Sequence, residues 1–123
     1  MDGMLYKKLR SFGYAFTGLK IAWREEFNFR FEAVSAVAAL LLSWYFHLSA
    51  VGWVVVVMLI GLVLMAEIFN TALEELCDKF QPTHDPHIAK IKDLGAAASF
   101  VANIAALIAG CIIFVPRILS MLL

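Results

Sequence analysis

An unbroken run of apolar residues from Val51 to Met65 is the feature that most constrains how this chain can fold. Extended to Phe69 past one glutamate, the run reaches the length of about 20 residues that a helix needs to cross the apolar interior of a bilayer. Hydrophobic residues make up 63% of the 123 residues, more than an ordinary soluble domain contains. We therefore expect an all-α integral membrane protein that forms a single domain over residues 1–123.

Two further apolar stretches, Ala33 to Phe46 and Leu94 to Val115, predict two more membrane-spanning helices. The predicted transmembrane helices cover residues 33–48, 51–78 and 93–116. Lysine and arginine are concentrated in the N-terminal segment and in the stretch from Lys79 to Lys92, and residues 47–50 contain neither. Because positively charged loops stay on the cytoplasmic side, we expect the N-terminus and this loop to be cytoplasmic.

The N-terminal segment carries its apolar residues at alternating steps of four and three: Leu5, Leu9, Phe12, Phe16, Leu19, Trp23 and Phe27. Lysines and arginines lie off that line. This pattern predicts an amphipathic helix at the membrane surface over residues 1–30. The alternative is a soluble helix packed on a core, but the rest of the chain offers no soluble core to receive it. The net charge of zero does not suggest a nucleic-acid partner.

A stripe of polar residues lies at the end of the second predicted transmembrane helix. We call it the polar stripe; its members are Glu67, Asn70, Thr71, Glu74 and Asp78. At about 100° per residue they fall on one helix face. Carboxylates at the end of a transmembrane segment are costly unless they face a partner, a metal or water, so the polar stripe predicts a functional site. Two simpler roles remain open, an interhelical hydrogen bond for Glu67 and packing for Asn70.

The polar stripe, with Lys90 and Lys92 in the following loop, has the chemistry of a magnesium and polyphosphate site. Magnesium usually takes one or two carboxylates together with phosphate oxygens. Glu67 lies roughly 10 Å deeper along the helix than Glu74. We therefore expect Glu67 to act as a base toward a lipid hydroxyl, and Glu74 to bind Mg²⁺ that arrives with ATP. The chain has no glycine-rich phosphate loop, so side chains would have to hold the nucleotide.

The residues of this region also match a known signature. The run Glu67-Ile68-Phe69-Asn70-Thr71-Ala72-Leu73-Glu74, then Asp78, and then Ala89-Lys90-Ile91-Lys92-Asp93 resembles that of the small prokaryotic diacylglycerol kinases, a family that includes undecaprenol kinases. The resemblance implies a homotrimer with shared active sites in the prokaryotic cytoplasmic membrane. It also implies transfer of the γ-phosphoryl group of MgATP to a membrane lipid alcohol, in phospholipid or cell-envelope lipid metabolism.

The resemblance assigns roles to individual residues. Glu67 would be the catalytic base, supported by Asn70, and Glu26 with Glu74 would hold Mg²⁺. The residues that would bind the nucleotide are Lys7, Tyr14, Glu26, Glu74, Asp78, His84, Asp85, Lys92 and Asp93. Those at the lipid would be Trp23, Arg30, Glu32 and Glu67. Three features depart from the family pattern: Lys7 replaces an arginine, Ala96 replaces a serine near the lipid site, and the loop from Thr83 to Asp85 matches poorly.

A lipid kinase is therefore the function that the sequence predicts, with undecaprenol and diacylglycerol both open as the acceptor. The first alternative is a small proton or ion transporter that uses Glu67 as its titrating group. A transporter needs polar residues across the bilayer, and Val51 to Met65 provides none. The second alternative is a membrane subunit without catalytic activity, in which the polar stripe would have no purpose.

Overall fold

The chain folds into four helices joined by short turns. The computed structural model describes residues 2–123, and Met1, the first residue of the predicted surface helix, lies outside the described residues. The helices are α1 (Asp2–Glu25), α2 (Phe27–Tyr45), α3 (Ala50–Phe80) and α4 (Pro86–Leu122). Helix α3 packs against both α2 and α4, whereas α1 packs against α2. The all-α prediction is thereby confirmed.

Two of the helices, α3 and α4, are long and apolar enough to cross a membrane. This finding is consistent with an integral membrane protein. Helix α2, which contains most of the first predicted transmembrane helix, is not among them. Among its 19 residues, Asn28, Arg30 and Glu32 are polar and lie near its start, and they lower the mean hydropathy of the helix. The count of three spans therefore stays a prediction.

The junction of α1 and α2 differs from the sequence-based boundaries. The surface helix was expected to continue to residue 30, but α1 ends at Glu25 and α2 already begins at Phe27. Glu26 between them has an extended backbone, with φ −112° and ψ 110°. One extended residue is enough to turn the chain from one helix into the next. The first turn of α2 is therefore the segment that had been assigned to the surface helix.

Helix α4 is longer than predicted at both ends. It begins at Pro86 because Asp85 caps it, accepting hydrogen bonds from the backbone N–H groups of His87 at 2.9 Å and Ile88 at 3.0 Å. Proline is favoured at the first helical position, so Pro86 starts the helix that it was expected to precede. At the other end the helix continues past the predicted limit at residue 116 to Leu122. Pro116 removes one N–H from the hydrogen-bond ladder but does not end it.

Few side chains are buried, and most of those lie on α2, α3 and α4. The apolar ones include Phe29 on α2, Val56 and Val63 on α3, and Ala102 on α4. The apolar residues of α1 are largely exposed, as is much of the apolar surface of the other helices. Exposed apolar surface of this extent is typical of a protein that contacts a membrane or another protein chain.

Candidate active site

Glu67 lies buried between α3 and α4, with 5% of its surface exposed. Its Oε2 accepts a hydrogen bond of 2.8 Å from the hydroxyl group of Ser99 on α4. Glu67 therefore does make an interhelical hydrogen bond, which was the simpler role considered for it. The bond uses one of the two carboxyl oxygens, and a proton transfer requires only the other. The geometry is compatible with both roles at once.

Ser99 was missed by the sequence analysis, although the sequence contains a signal for it. Apart from Cys111, Ser99 and Asn103 are the only polar side chains between Leu94 and Val115. They are four residues apart, so they lie on the same face of α4. A pair of polar residues on one face of an otherwise apolar helix indicates the face that meets a polar partner.

Asn70 packs against α4 one helical turn from Glu67. Its Oδ1 is buried and has no hydrogen-bond partner among the residues that the structure describes. A Cβ atom at Gly95 would lie 2.7 Å from this oxygen and 2.8 Å from Cδ2 of Leu73. Glycine at position 95 therefore permits the approach of α4 to Asn70, which a larger residue would obstruct.

Three carboxylates of one chain form an acidic cluster, which we define as Glu26, Glu67 and Glu74. Glu26 at the α1–α2 turn is half-buried. Burial raises the pKa of Glu26 above its ordinary value, and the charges of Glu74, Glu67 and Glu75 raise it further. The fold thus brings Glu26 and Glu74, the two predicted metal ligands, into the same region of one chain.

The acidic cluster fits a divalent cation that brings some of its own ligands. Repulsion between the carboxylates is what a bound cation would offset. Within residues 3–123, no three His, Cys, Asp or Glu side chains are arranged to hold a metal ion by themselves. Magnesium is usually bound by one or two carboxylates together with substrate phosphates and water, so the donor set suits Mg²⁺ that arrives with a nucleotide.

Two other predicted nucleotide residues form an ion pair between α3 and α4. The Lys92 ammonium group lies 2.8 Å from Oδ1 of Asp78. Both side chains are solvent-accessible. Because the pair is exposed, the Lys92 ammonium group is accessible to a phosphate, and the ion pair itself contributes little to stability.

The remaining predicted nucleotide residues are dispersed. His84 and Asp93 line a shallow groove beside Lys90 at the start of α4. Asp85 uses one carboxylate oxygen to cap α4. Lys7 and Tyr14 are exposed on α1, and no hydrogen bond or ion pair found within the described part of the chain joins them to the polar stripe.

The predicted lipid residues fall into two places. The guanidinium group of Arg30 donates hydrogen bonds to the backbone carbonyl groups of Trp23 at 2.8 Å and Arg24 at 3.0 Å. It therefore caps the end of α1, and Trp23 and Arg30 line a groove between α1 and α2. Glu32 lies instead beside a cavity between α2, α3 and α4.

Comparison with known proteins identifies the family. The sequence model described as "Prokaryotic diacylglycerol kinase" matches residues 13–114. The chain belongs to this family. It is 33% identical to an undecaprenol kinase of Bacillus subtilis, over 93% of each chain. It is 31% identical to a diacylglycerol kinase of Escherichia coli, over 85% of this chain and 86% of the relative. A diacylglycerol kinase of Synechocystis is 36% identical over 93% of this chain and 66% of the relative.

These matches confirm the resemblance inferred from the polar stripe and the Lys92–Asp93 pair. In this member of the prokaryotic diacylglycerol kinase family, the candidate groups are ordered by position along α3. Glu67 lies nearest the long apolar run, Glu74 follows, and Asp78 with its partner Lys92 lies nearest the α3–α4 loop. Such an arrangement can accept a proton at one end and bind a cation and phosphate groups at the other.

Proposed function

We propose that this chain is a kinase that transfers the γ-phosphoryl group of ATP to the hydroxyl group of a membrane lipid. Membership of a lipid kinase family supports this function, and a kinase family implies ATP as the phosphoryl donor. The observation that carries the proposal is the buried Glu67, which Ser99 orients just past the end of the apolar run of α3. A carboxylate in that position is suited to a hydroxyl group that arrives from the bilayer.

In the proposed reaction, the lipid hydroxyl oxygen forms a bond to the γ-phosphorus of ATP while the bond from that phosphorus to the bridging oxygen breaks. The hydroxyl proton passes to a carboxylate oxygen of Glu67, and ADP leaves with the electron pair of the broken bond. Ser99 holds the other oxygen of Glu67, so the accepting oxygen is fixed in direction. Asn70 supports Glu67 from the same face of α3.

Glu26 and Glu74 are the proposed ligands of Mg²⁺, which when bound would neutralise part of the phosphate charge. Lys92 would contact the phosphate groups, with Asp78 orienting its ammonium group through their ion pair. The other proposed nucleotide residues are Lys7, Tyr14, His84, Asp85 and Asp93, and Trp23, Arg30 and Glu32 are proposed at the lipid entrance.

The proposed assembly is a homotrimer in the prokaryotic cytoplasmic membrane, with its active sites shared between chains. Each chain would form one domain, with α1 on the cytoplasmic surface and with α2, α3 and α4 crossing the bilayer. The uneven distribution of lysine and arginine supports this orientation. The exposed positions of Lys7 and Tyr14 support sharing, because they would reach a nucleotide more readily on a neighbouring chain.

Both undecaprenol and diacylglycerol are proposed as acceptors, since relatives named for each are similarly distant from this chain. The test is a transfer assay with purified protein in phospholipid vesicles that contain one alcohol or the other. ATP labelled at the γ-phosphate should yield labelled lipid phosphate with at least one alcohol, and a magnesium chelator should stop the reaction. Absence of labelled lipid with both alcohols would contradict the proposal.

A further inference from the structure

The turn between α1 and α2 contains Glu26, one of the two proposed ligands of Mg²⁺, and little apolar burial holds this turn within one chain. Glu26 belongs to the hydrogen-bond ladders of both helices. Its N–H donates to the carbonyl group of Ala22 at 3.0 Å, and its own carbonyl group accepts from the N–H of Arg30 at 3.2 Å. Among residues 3–25 of α1, Ala22 is the one buried side chain. The angle between α1 and α2 therefore depends on the hydrogen bonds at the turn.

Arg30 supplies the missing donors at the end of α1. The last carbonyl groups of a helix have no partner within the helix. The guanidinium group of Arg30 donates to two of them, those of Trp23 at 2.8 Å and Arg24 at 3.0 Å. Its positive charge also lies at the negative end of the α1 dipole, where a cation is stabilising. Both acceptors belong to α1 and the donor belongs to α2, so these bonds join the two helices across Glu26.

The carboxylate of Glu26 is not used to hold the turn. Glu26 occupies the position before the first turn of α2, where a side-chain oxygen commonly accepts a backbone hydrogen bond, but its side chain makes no such bond. Arg30 does not pair with it either, because the single ion pair within residues 3–123 joins Lys92 to Asp78. The guanidinium group thus holds the backbone of the turn, and the carboxylate within the turn stays available to a metal ion.

We propose that Arg30 is a positioning residue for the metal site: by holding the last carbonyl groups of α1, it fixes the turn that brings Glu26 to Glu74. The inference rests on the proposed Mg²⁺-dependent kinase activity and deepens it. Arg30 acts on the metal through the backbone of the turn and does not contact the metal itself. An effect on metal binding differs from an effect on the lipid alcohol, so the two can be measured separately.

The test measures metal binding and lipid use in variants of Arg30. Arg30→Met removes the donors and the charge but keeps a long side chain. Arg24→Met is the matched control, because Arg24 lines the same groove between α1 and α2 and contributes only its backbone carbonyl group to the cap. The kinetic measurements are the Mg²⁺ concentration for half-maximal rate and KM for the lipid alcohol, with the Tm of each variant. Binding without turnover is measured from the EPR signal of Mn²⁺, a substitute for Mg²⁺, with a non-hydrolysable ATP analogue present.

For Arg30→Met, the Mg²⁺ requirement and the Kd for Mn²⁺ should both rise about tenfold or more, because loss of a group that orients a metal ligand typically weakens metal binding by this factor. KM for the lipid alcohol should keep its wild-type value, and Arg24→Met should change none of these quantities. Arg30→Lys should restore most of the metal affinity. Both bonds of Arg30 come from one nitrogen atom, Nη1, and a lysine ammonium group can donate to two carbonyl groups in the same way.

A double variant tests whether Arg30 acts through Glu26. In Glu26→Gln the proposed metal ligand is already missing, so adding Arg30→Met should weaken Mn²⁺ binding little further. Fully additive losses would show that Arg30 affects the metal by another route and would overturn the inference.

Unchanged Mn²⁺ binding in folded Arg30→Met would overturn the inference and leave the kinase activity intact, whether or not KM for the lipid alcohol rises. Arg30→Gln provides a second variant if Arg30→Met does not fold, because its amide group is on a shorter side chain and does not reach both carbonyl groups. The same outcomes apply to it. Absence of lipid phosphate from the wild type would contradict the proposed kinase activity, and Mn²⁺ binding would still test the role of Arg30. A wild type that binds no Mn²⁺ with the ATP analogue would overturn the positioning role.

Discussion

Gly95 controls how closely α4 approaches Asn70. In Gly95→Ala the new Cβ atom would lie 2.7 Å from Oδ1 of Asn70, so the Asn70 side chain has to move. We predict a large loss of phosphoryl transfer in Gly95→Ala, and little additional loss when the same change is made in Asn70→Ala, which removes the obstructed amide group. The other close atom, Cδ2 of Leu73, is the end of a flexible side chain that can rotate away. Gly61→Ala is the control, because a Cβ atom there meets nothing within 4 Å in the described part of the chain. Fully additive losses would contradict this role.

The polar stripe could be predicted from the sequence, whereas its partners on other helices could not. Helical periodicity alone places Glu67, Glu74 and Asp78 on one face of α3. The contacts of Ser99 with Glu67, and of Gly95 with Asn70, depend on how α4 is rotated against α3. That rotation is fixed by side-chain packing along both helices, and the helical pattern of polar and apolar residues in α3 or in α4 does not determine it.

At the scale of helices, the junction of α1 and α2 brings Glu26 to the acidic cluster. Burial and neighbouring carboxylates hold the pKa of Glu26 above its unfolded value. The contribution of Glu26 to the free energy of unfolding is therefore fully present at pH values below its pKa in the unfolded chain. It is lost as the pH rises through its pKa in the folded protein. We predict that Glu26→Gln has a higher Tm than the wild type at neutral pH in metal-free buffer, and that the difference disappears on acidification. A lower Tm for Glu26→Gln at neutral pH would indicate a cationic partner instead.

The helices themselves were predictable, because long apolar runs and amphipathic periodicity are strong signals. The residues at which the helices begin and end were harder to predict. The turn at Glu26 involves a single extended residue without glycine or proline, so the sequence contains no turn signal there. Arg30 stays proposed at the lipid entrance, and because the chain turns at Glu26 its guanidinium group also caps α1. A role in capping becomes visible only when the turn is known.

At the scale of the whole molecule, the chain divides into a packed part and an exposed part. In the packed part, formed by α2, α3 and α4, α3 holds Glu67, Glu74 and Asp78, and α4 holds Lys92. Glu26 joins them from the α1–α2 turn. Helix α1 carries exposed aromatic residues, among them Phe12 and Phe16. The proposed trimer and the membrane surface would both cover such a helix. The periodicity predicts a helix with one covered face but does not distinguish the two kinds of cover, because amphipathic helices cover protein and lipid surfaces with the same pattern.

The measurement that tests the account most directly is the rate of phosphoryl transfer by Glu67→Gln in vesicles that contain the accepted lipid alcohol. If Glu67 takes the hydroxyl proton, the rate should fall by about 100-fold or more, while ATP still binds with wild-type affinity. Glu75→Gln is the matched control, because Glu75 lies on the same helix but is exposed. It should stay close to the wild-type rate. A Glu67→Gln variant that transfers phosphate as fast as the wild type would contradict the assignment of Glu67 as the base.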